Sequence, residues 1–288
     1  MSLFAQLFLN SIIAAAIYTL IAVSFTLAFS VTKFFNLAHG TVAVIGAYGA
    51  FYITQTLGWG LGFGIVAGVL CAALVGYIAD LCVFRSLLNR KASSLVLLVA
   101  SLGLMTVLQA VVAMAFSSQF QSLSRSIAHQ NVYRVFGGSI TEVQVGMLLA
   151  GLLITSLLLV VLKKTHYGKS VVAISDDIEV AQVIGINTRK VIMQTFVLCS
   201  SIAGFAGVLI GLDTGVEPNM GLALLLKGII AAVIGGIGNV GGAILGALLL
   251  GLVENFGIWK ISGEWKDAIA FGLLIVFLIF RPKGLIAR

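Results

Sequence analysis

The segment GGIGNVGG, residues 235–242, has the spacing G-x-G-x-x-G and is followed by an apolar run typical of a helix. This spacing is found in dinucleotide-binding loops, where glycines let the backbone approach a pyrophosphate. Such a loop follows a β-strand, and an acidic residue about 20 positions later binds the ribose. The flanking segments LALLLKGIIAAVI and AILGALLLGLVENF offer no α/β context. The sequence therefore predicts no cofactor bound by this chain.

Ionisable residues inside apolar runs are the other candidates for chemistry. Lys227 and Glu254 lie in such runs, where an unpaired charge costs about 2.5–3.5 kcal/mol on insertion scales. They are expected to pair with each other, the alternative being a direct contact with a substrate. His39 is expected to be a hydrogen-bonded interior residue rather than a proton carrier. The scattered histidines and cysteines predict no metal site, and no catalytic set of side chains favours an enzyme.

Composition defines the environment of these residues. Of the 288 residues 60% are hydrophobic and 9% are charged, whereas soluble domains have about 25% charged residues. A globular surface of this size needs more polar side chains to face water. We expect an all-α polytopic membrane protein, with residues 1–288 forming a single transmembrane domain.

A membrane crossing needs about 20 mostly apolar residues. The segments that meet this requirement are 4–29, 60–84, 95–116, 143–162, 191–212 and 268–280. Residues 36–54 and 220–256 are interrupted by glycines and resemble the broken or re-entrant helices of transporters, which brings the expected total to about 8–10 helices. The candidates for the translocation path lie in these two segments: Asn36, His39, Gly40, Lys227, Gly235, Gly236, Gly238, Gly241 and Glu254.

The glycines fit two interpretations. Spacings such as Gly242 with Gly246 and Gly207 with Gly211 form GxxxG, which allows helix backbones to pack closely. Five glycines within residues 235–242 instead predict a break between two short helices. HGTVAVI-GAYGA, from His39, also aligns with KGIIAAVIGGIGN, from Lys227, so an internal repeat is one interpretation of the pattern.

The basic residues predict an orientation, because cytoplasmic loops carry an excess of lysine and arginine. With residues 163–190 placed inside, the C-terminus is also cytoplasmic, and the loops 117–142, 213–219 and 257–267 lie outside. Most of the 17 basic residues then fall inside: Lys33, Arg85, Arg90, Lys91, Lys163, Lys164, Lys169, Arg189, Lys190, Arg281, Lys283 and Arg288. The net charge of +7 is therefore a sign of topology and not of nucleic-acid binding.

The predicted cytoplasmic loop 163–190 contains a short amphipathic pattern. Its acidic cluster includes Asp176, Asp177 and Glu179, with Ser175 or Asp176 as the expected helix cap and Gly185 as the expected stop. One alternative is a helix lying on membrane lipid, but acidic residues are repelled by anionic lipids. A helix that docks into a groove of a partner explains the acidic residues better.

Four ordered motifs carry a family resemblance over nearly the whole chain: FFNLAHGTVAVIGAY, YGKSVVAISDDIEVAQVIGIN, SSIAGFAGVLIG and KGIIAAVIGGIGNVGGAILGALLLGLVE. Together they resemble the permease subunits of branched-chain amino acid ABC importers, the LivH and LivM type. The size of the chain and its early N-x-A-H-G motif make it more similar to LivH than to LivM.

This resemblance implies an importer of the bacterial inner membrane that moves branched-chain or related amino acids by alternating access. Its partners would be a second, LivM-like permease, two cytoplasmic ATPase subunits and a periplasmic solute-binding protein. ATP and Mg²⁺ would be bound by the ATPases, since this sequence contains no G-x-x-x-x-G-K-[ST] motif. The alternatives are a single-chain channel or secondary transporter, and an ABC permease for urea or short amides.

The resemblance also implies roles for residues of the loop. Residues 173–187 would form the coupling helix that contacts an ATPase. The residues that would couple to the ATPase are Asp176, Asp177, Glu179, Ala181 and Gly185. The chain departs from the family pattern at Val171 and Val172, where such permeases often carry an arginine.

Overall fold

The computed structural model describes residues 3–123, 132–135, 137–260 and 262–286. The first half contains α1 (Leu3–Thr32), α2 (Ala38–Phe51) with a π-helical extension (Tyr52–Thr56), α3 (Leu61–Ala79) with a π-helical extension (Asp80–Phe84), α4 (Arg85–Asn89) and α5 (Ser94–Phe116). The second half contains β1 (Val132–Val135), β2 (Gly138–Thr141), α6 (Glu142–Lys164), α7 (His166–Asp176), α8 (Ile178–Val183), α9 (Thr188–Asp213), α10 (Met220–Gly235), α11 (Val240–Gly257), a 3₁₀ turn (Gly263–Trp265) and α12 (Lys266–Phe280).

Six helical segments of the described chain are long and apolar enough to cross a membrane: Leu3–Thr32, Leu61–Asn89, Ser94–Phe116, Glu142–Lys164, Thr188–Asp213 and Val240–Gly257. The first five confirm five of the predicted crossings. The sixth prediction, residues 268–280, coincides with α12, which has only 15 residues and is shorter than the usual crossing. The protein is an all-α polytopic membrane protein, as the composition predicts.

The helices are arranged around α1 and α9. About 72% of the most apolar stretch of α1 and 67% of that of α9 is buried, against 22% for α3, α5 and α6. α1 packs against α6, α9, α10 and α11, whereas α2 packs against α3, α5, α9 and α10. Exposed leucines and valines on α3, α5 and α6, such as Leu70, Val107 and Leu152, form an apolar surface suited to lipid.

A short antiparallel hairpin, β1–β2, marks one end of the bundle. The backbone N–H of Ser139 in β2 donates to Gln6 Oε1 at 2.8 Å, which ties the hairpin to the start of α1. Thr141 and Gln144 form a capping box that begins α6 directly after β2. We call this the hairpin end, and we call the opposite end, where α1 stops and α7 lies, the α7 end.

The glycines of α2 do not break the helix, so the prediction of a glycine-broken segment at 36–54 is wrong in this respect. The chain turns before α2, where Lys33 has a φ of 58°. Gly40, Gly46 and Gly49 then lie within continuous helix. Gly40 contacts the backbone of Gly221 in α10, and the other two glycines face α9 and α3. They act as contact points between helices, which is the packing role that small residues have in membranes.

The glycine cluster at 235–242 does form the predicted break. α10 ends at Gly235 and α11 begins at Val240, and Gly235 and Gly242 lie in backbone contact where the two helices diverge. The alignment of His39 with Lys227 pairs the second residue of α2 with the eighth residue of α10. The matched residues therefore occupy different positions in their helices, and this register does not support a repeat.

Candidate docking and translocation site

The predicted coupling segment forms two helices, α7 and α8, rather than one. Asp177 lies between them in extended conformation, with φ −154° and ψ 117°. Its Oδ1 accepts hydrogen bonds from the backbone N–H of Glu179 at 2.8 Å and of Val180 at 3.1 Å. Asp177 thus ends α7 and caps α8, because an aspartate side chain satisfies N–H groups that have no helical partner. The expectation of a single helix capped by Ser175 or Asp176 is therefore wrong.

The end of α8 agrees with the prediction. Gly185 has a φ of +88°, a conformation that glycine adopts without steric cost. Its N–H donates to the carbonyl of Gln182 at 3.0 Å. Asn187 then caps α9 by accepting from the N–H of Lys190 at 3.0 Å. Local capping therefore fixes both ends of α8.

The docking unit, which we define as α7 and α8, is held firmly to the spans. Lys33 Nζ, at the end of α1, donates to the carbonyl of Ser175 at 2.7 Å. The hydroxyl of Tyr167 in α7 lies 2.7 Å from Thr195 Oγ1 in α9, and burial raises the pKa of Tyr167 so that it stays neutral. Val171 and Ile174 are buried beneath α7. A displacement of α7 would therefore be transmitted to α1 and α9.

The outer surface of α8 is apolar and exposed. Val183 is 87% exposed and Ile184 is 66% exposed, with Val180 also exposed. The predicted acidic residues Asp176, Asp177 and Glu179 are exposed beside them, whereas Ala181 is buried against the spans. A mixed apolar and acidic surface outside the spans fits a protein groove better than an anionic membrane.

The loop between α10 and α11 is built by two glycines with positive φ. Gly236 has a φ of 109° and Gly238 a φ of 89°. Gly236 also lies against the carbonyl of Ile286, whose N–H donates to the carbonyl of Gly235 at 3.1 Å. Asn239 Oδ1 caps α11 through the N–H of Gly242 at 3.2 Å. A helix, not a strand, leads into the loop, and the C-terminal segment lies against it, so its structural context differs from that of a dinucleotide-binding loop.

The structure brings the glycine loop next to the docking unit. Gly238 and Gly241 share a groove of about 240 Å³ with Val171, Val172 and Ser175. Lys227 precedes the end of α10 by eight residues, a distance of about 12 Å along the axis. The predicted path residues therefore form separate groups, and the glycines belong with the docking unit at the α7 end.

Lys227 and Glu254 pair as predicted. Lys227 Nζ lies 2.9 Å from Glu254 Oε1, and Glu254 is fully buried. Two further partners complete the network: the hydroxyl of Tyr18 donates to Glu254 Oε2 at 2.7 Å, and Asp267 Oδ1 lies 3.1 Å from Lys227 Nζ. The network links α1, α10, α11 and α12. It satisfies a buried carboxylate that would otherwise be costly.

The predicted group at the start of α2 is also buried and hydrogen-bonded. Asn36 Oδ1 accepts from the N–H of Ala38 at 3.1 Å. His39 is 3% exposed, and its Nε2 lies 2.9 Å from Ser24 Oγ in α1. The expectation of a satisfied interior histidine agrees with this geometry. Gly40 provides the contact with α10 described above.

Sequence reasoning missed several polar residues. Tyr18 and Asp267, which complete the Lys227 network, lay outside the segments considered for the path. Asp80 lies within the predicted crossing 60–84. An ionisable residue inside an apolar run is the sequence feature that also singled out Lys227. Together with Arg85 and Arg189, Asp80 lines a pocket at the α7 end.

Comparison with known proteins agrees with this architecture. The family model described as branched-chain amino acid transport system / permease component matches residues 7–278. The chain is 32% identical to the high-affinity branched-chain amino acid transport system permease protein LivH of Escherichia coli K12, over 99% of this chain and 96% of that protein. It is 31% identical to BraD of Pseudomonas aeruginosa, a permease protein of the same description, with the same coverage.

A solved structure shares the fold. The chain of PsaBC from Streptococcus pneumoniae in complex with Fab that it matches has a TM-score of 0.53 and 14% identity, over 95% of this chain and 91% of that one. The family model covers almost all of the described helices. The chain therefore belongs to the family of permease components of branched-chain amino acid transport systems.

Proposed function

We propose that the chain is one of two permease subunits of an ATP-driven importer of branched-chain amino acids in the bacterial inner membrane. The other permease would be a LivM-like chain, and a periplasmic solute-binding protein would deliver the solute. The family and the names of the relatives support the substrate class. Two cytoplasmic ATPases would bind ATP and Mg²⁺, since residues 1–288 contain no P-loop.

The α7 end is proposed to face the cytoplasm. Lys33 contacts the docking unit, Lys163 lines the groove beside it, and Arg85 and Arg189 line a pocket at the same end. This concentration of basic residues is the pattern of a cytoplasmic face. The C-terminal segment joins this face, because Leu285 donates to the carbonyl of Ile234 at the end of α10.

The observation that carries the proposal is the exposed surface of α8. Val183 and Ile184 present apolar side chains to solvent next to exposed acidic residues, and such a patch is characteristic of an interaction site. We assign it to an ATPase groove. Of the residues named for coupling, Asp176 and Glu179 would contact the partner, Asp177 and Gly185 would shape the helix, and Ala181 would anchor it.

Rigid attachment gives this docking a mechanical consequence. Closure of the ATPases on ATP would move the docking unit, and the hydrogen bonds of Lys33 and Tyr167 would carry the movement to α1 and α9. The same unit borders the α10–α11 loop. Movement of packed helices as bodies is the usual basis of alternating access.

The path is proposed to reach the hairpin end through a groove beside α10. The groove has a volume of about 340 Å³ and is lined by Thr214, Glu217, Met220, Leu224 and Lys227, among others. It offers both charge and apolar surface. The Lys227–Glu254 network would fix the shape of this groove, and Asn36, His39 and Gly40 would fix the start of α2 against α1 and α10.

Reconstitution tests the proposal. The chain, its partner permease and both ATPases are placed in liposomes with the cognate binding protein, and uptake of leucine, isoleucine, valine, urea and acetamide is measured. ATP-dependent uptake of the amino acids is expected. Uptake by the purified chain alone would indicate a channel or secondary transporter, and uptake of urea or acetamide in place of the amino acids would contradict the proposed substrate.

A further inference from the structure

A pocket of about 200 Å³ lies at the α7 end, apart from the groove beside α10. It lies between α8, the start of α9, the end of α1, the π-helical segment Asp80–Phe84 and α4. Its polar lining includes Asp80, Arg85 and Arg189. Its apolar lining consists of Val31, Leu88, Ile178 and Ile192. Exposed rim residues, among them Asn89 and Arg189, open it toward the α7 face.

Two buried polar atoms in this pocket have no hydrogen-bond partner in the described part of the chain. Asp80 is 4% exposed, and its Oδ1 is one of these atoms. The other is Nε of Arg85. Buried polar groups are almost always hydrogen-bonded, so each orphaned atom requires an explanation. Asp80 also begins a π-helical segment, Asp80–Phe84, a distortion that frequently marks functional sites.

The charges of the pocket select the chemistry of its occupant. Arg85 and Arg189 line the same pocket as Asp80. Two guanidinium groups attract a carboxylate, but Asp80 would oppose a simple anion such as a phosphate group. A simple amine would be opposed by the two arginines. A zwitterion satisfies all three groups, because its carboxylate and ammonium groups meet opposite charges.

We propose that this pocket binds a zwitterionic α-amino acid with an apolar side chain, its carboxylate on Arg85 and Arg189 and its ammonium group on Asp80. The side chain would lie against Val31 and Ile178. The inference rests on the proposed function, and it adds a substrate site on the cytoplasmic side of the permease. Since Ile178 and Gln182 belong to α8, an occupant would contact the docking unit itself.

Equilibrium binding of radiolabelled leucine tests this site. The assembled complex of both permeases and both ATPases is used in detergent, without the binding protein. Saturable binding is expected, weakened at least about tenfold by Asp80→Asn and by Arg189→Gln, because each removes a charge-assisted contact. Arg90→Gln is the matched control, since Arg90 is exposed on the same face and does not line the pocket. Equal binding by all four proteins would overturn the proposal.

Two probes separate a zwitterion site from a charge site. 4-Methylpentanoate has the carbon skeleton and carboxylate of leucine but no ammonium group, and isoamylamine has the amine but no carboxylate. Neither is expected to displace leucine at about tenfold excess. Displacement by 4-methylpentanoate as effective as by unlabelled leucine would show an anion site and overturn the proposal, as would the absence of leucine binding to the intact complex.

A second variant at the rim controls for misfolding of Asp80→Asn, whose substituted side chain is buried. Asn89 is exposed at the mouth of the pocket, so Asn89→Trp should block leucine without changing the buried charges. Retained leucine binding by this variant would count against the pocket. The outcome is separable from the proposed function: uptake of leucine by a complex without this binding defeats the inference alone, whereas absence of uptake defeats the proposed function.

Discussion

α2 and the α10–α11 segment are both rich in glycine, but the glycines have different structural roles in the two segments. In α2, Gly46 lies within regular helix and contacts the backbone of Gly204 in α9. In the α10–α11 loop, Gly236 and Gly238 have positive φ and form the turn itself. The buried polar groups differ as well. α2 contributes His39, which hydrogen-bonds with the hydroxyl of Ser24. α10 and α11 contribute the ion pair between Lys227 and Glu254.

The difference shows what a glycine cluster needs in order to break a helix. Glycines spaced three and six residues apart on α2 allow neighbouring backbones to approach without disturbing the helical hydrogen bonds. The α10–α11 loop also contains Asn239, whose side chain caps the start of α11, so a new helix begins directly after the break. Substitutions in the two segments should therefore destabilise the protein for different physical reasons.

The largest effect on stability is expected at the ion pair between Lys227 in α10 and Glu254 in α11. Lys227→Met removes the cation beside the buried Glu254 and should destabilise the protein by about 3–5 kcal/mol, because it leaves an uncompensated buried charge. Thermal unfolding in detergent measures this loss. The double variant Lys227→Met/Glu254→Met should recover most of it, and a double variant no more stable than the single one would contradict the pairing.

A substantial effect is expected where α2 meets α9. Gly46→Val places a branched side chain against the backbone of Gly204 and should cost about 1–3 kcal/mol through overpacking. Gly103→Val is the matched control, since Gly103 lies in α5 with open space around it. The same unfolding measurement should separate the two, and similar midpoints would argue against close packing of α2.

A smaller effect is expected in the glycine loop. Gly238→Ala meets no neighbouring atom, so only its φ of +89° opposes the change, at a cost of about 1–2 kcal/mol. Gly241→Ala lies within α11 without a positive φ and should be neutral or stabilising, by up to about 1 kcal/mol. If Gly241→Ala proved the more damaging of the two, the assignment of the turn would be wrong.

The smallest effect is expected at His39. His39→Gln keeps a group that can hydrogen-bond to Ser24 and should change stability by no more than about 1.5 kcal/mol. Uptake measured between about pH 5 and 8, where histidine titrates, should show the same pH profile as the wild type. A profile that becomes flat in the variant would instead identify His39 as a proton carrier.

Sequence periodicity and composition were sufficient to predict the membrane class, five of the long crossings and the break between α10 and α11. The Lys227–Glu254 pair was also predictable, because few charges lie in apolar runs. The split between α7 and α8 was not, since Ser175, Asp176 and Asp177 are all competent caps and tertiary anchoring of α7 decides among them. Asp80 carries the same local signal as Lys227, a charge in an apolar run, but its grouping with Arg189 depends on the packing of α9, which no local pattern reveals.

The role of α8 is tested most directly by reversing its charge. Asp176→Lys/Glu179→Lys alters two exposed residues of the docking unit, and Glu264→Lys at an exposed site away from it is the control. ATPase activity stimulated by the loaded binding protein is measured together with uptake in liposomes. The double variant should remain in the membrane and lose both, whereas normal stimulation and uptake would contradict docking through α8.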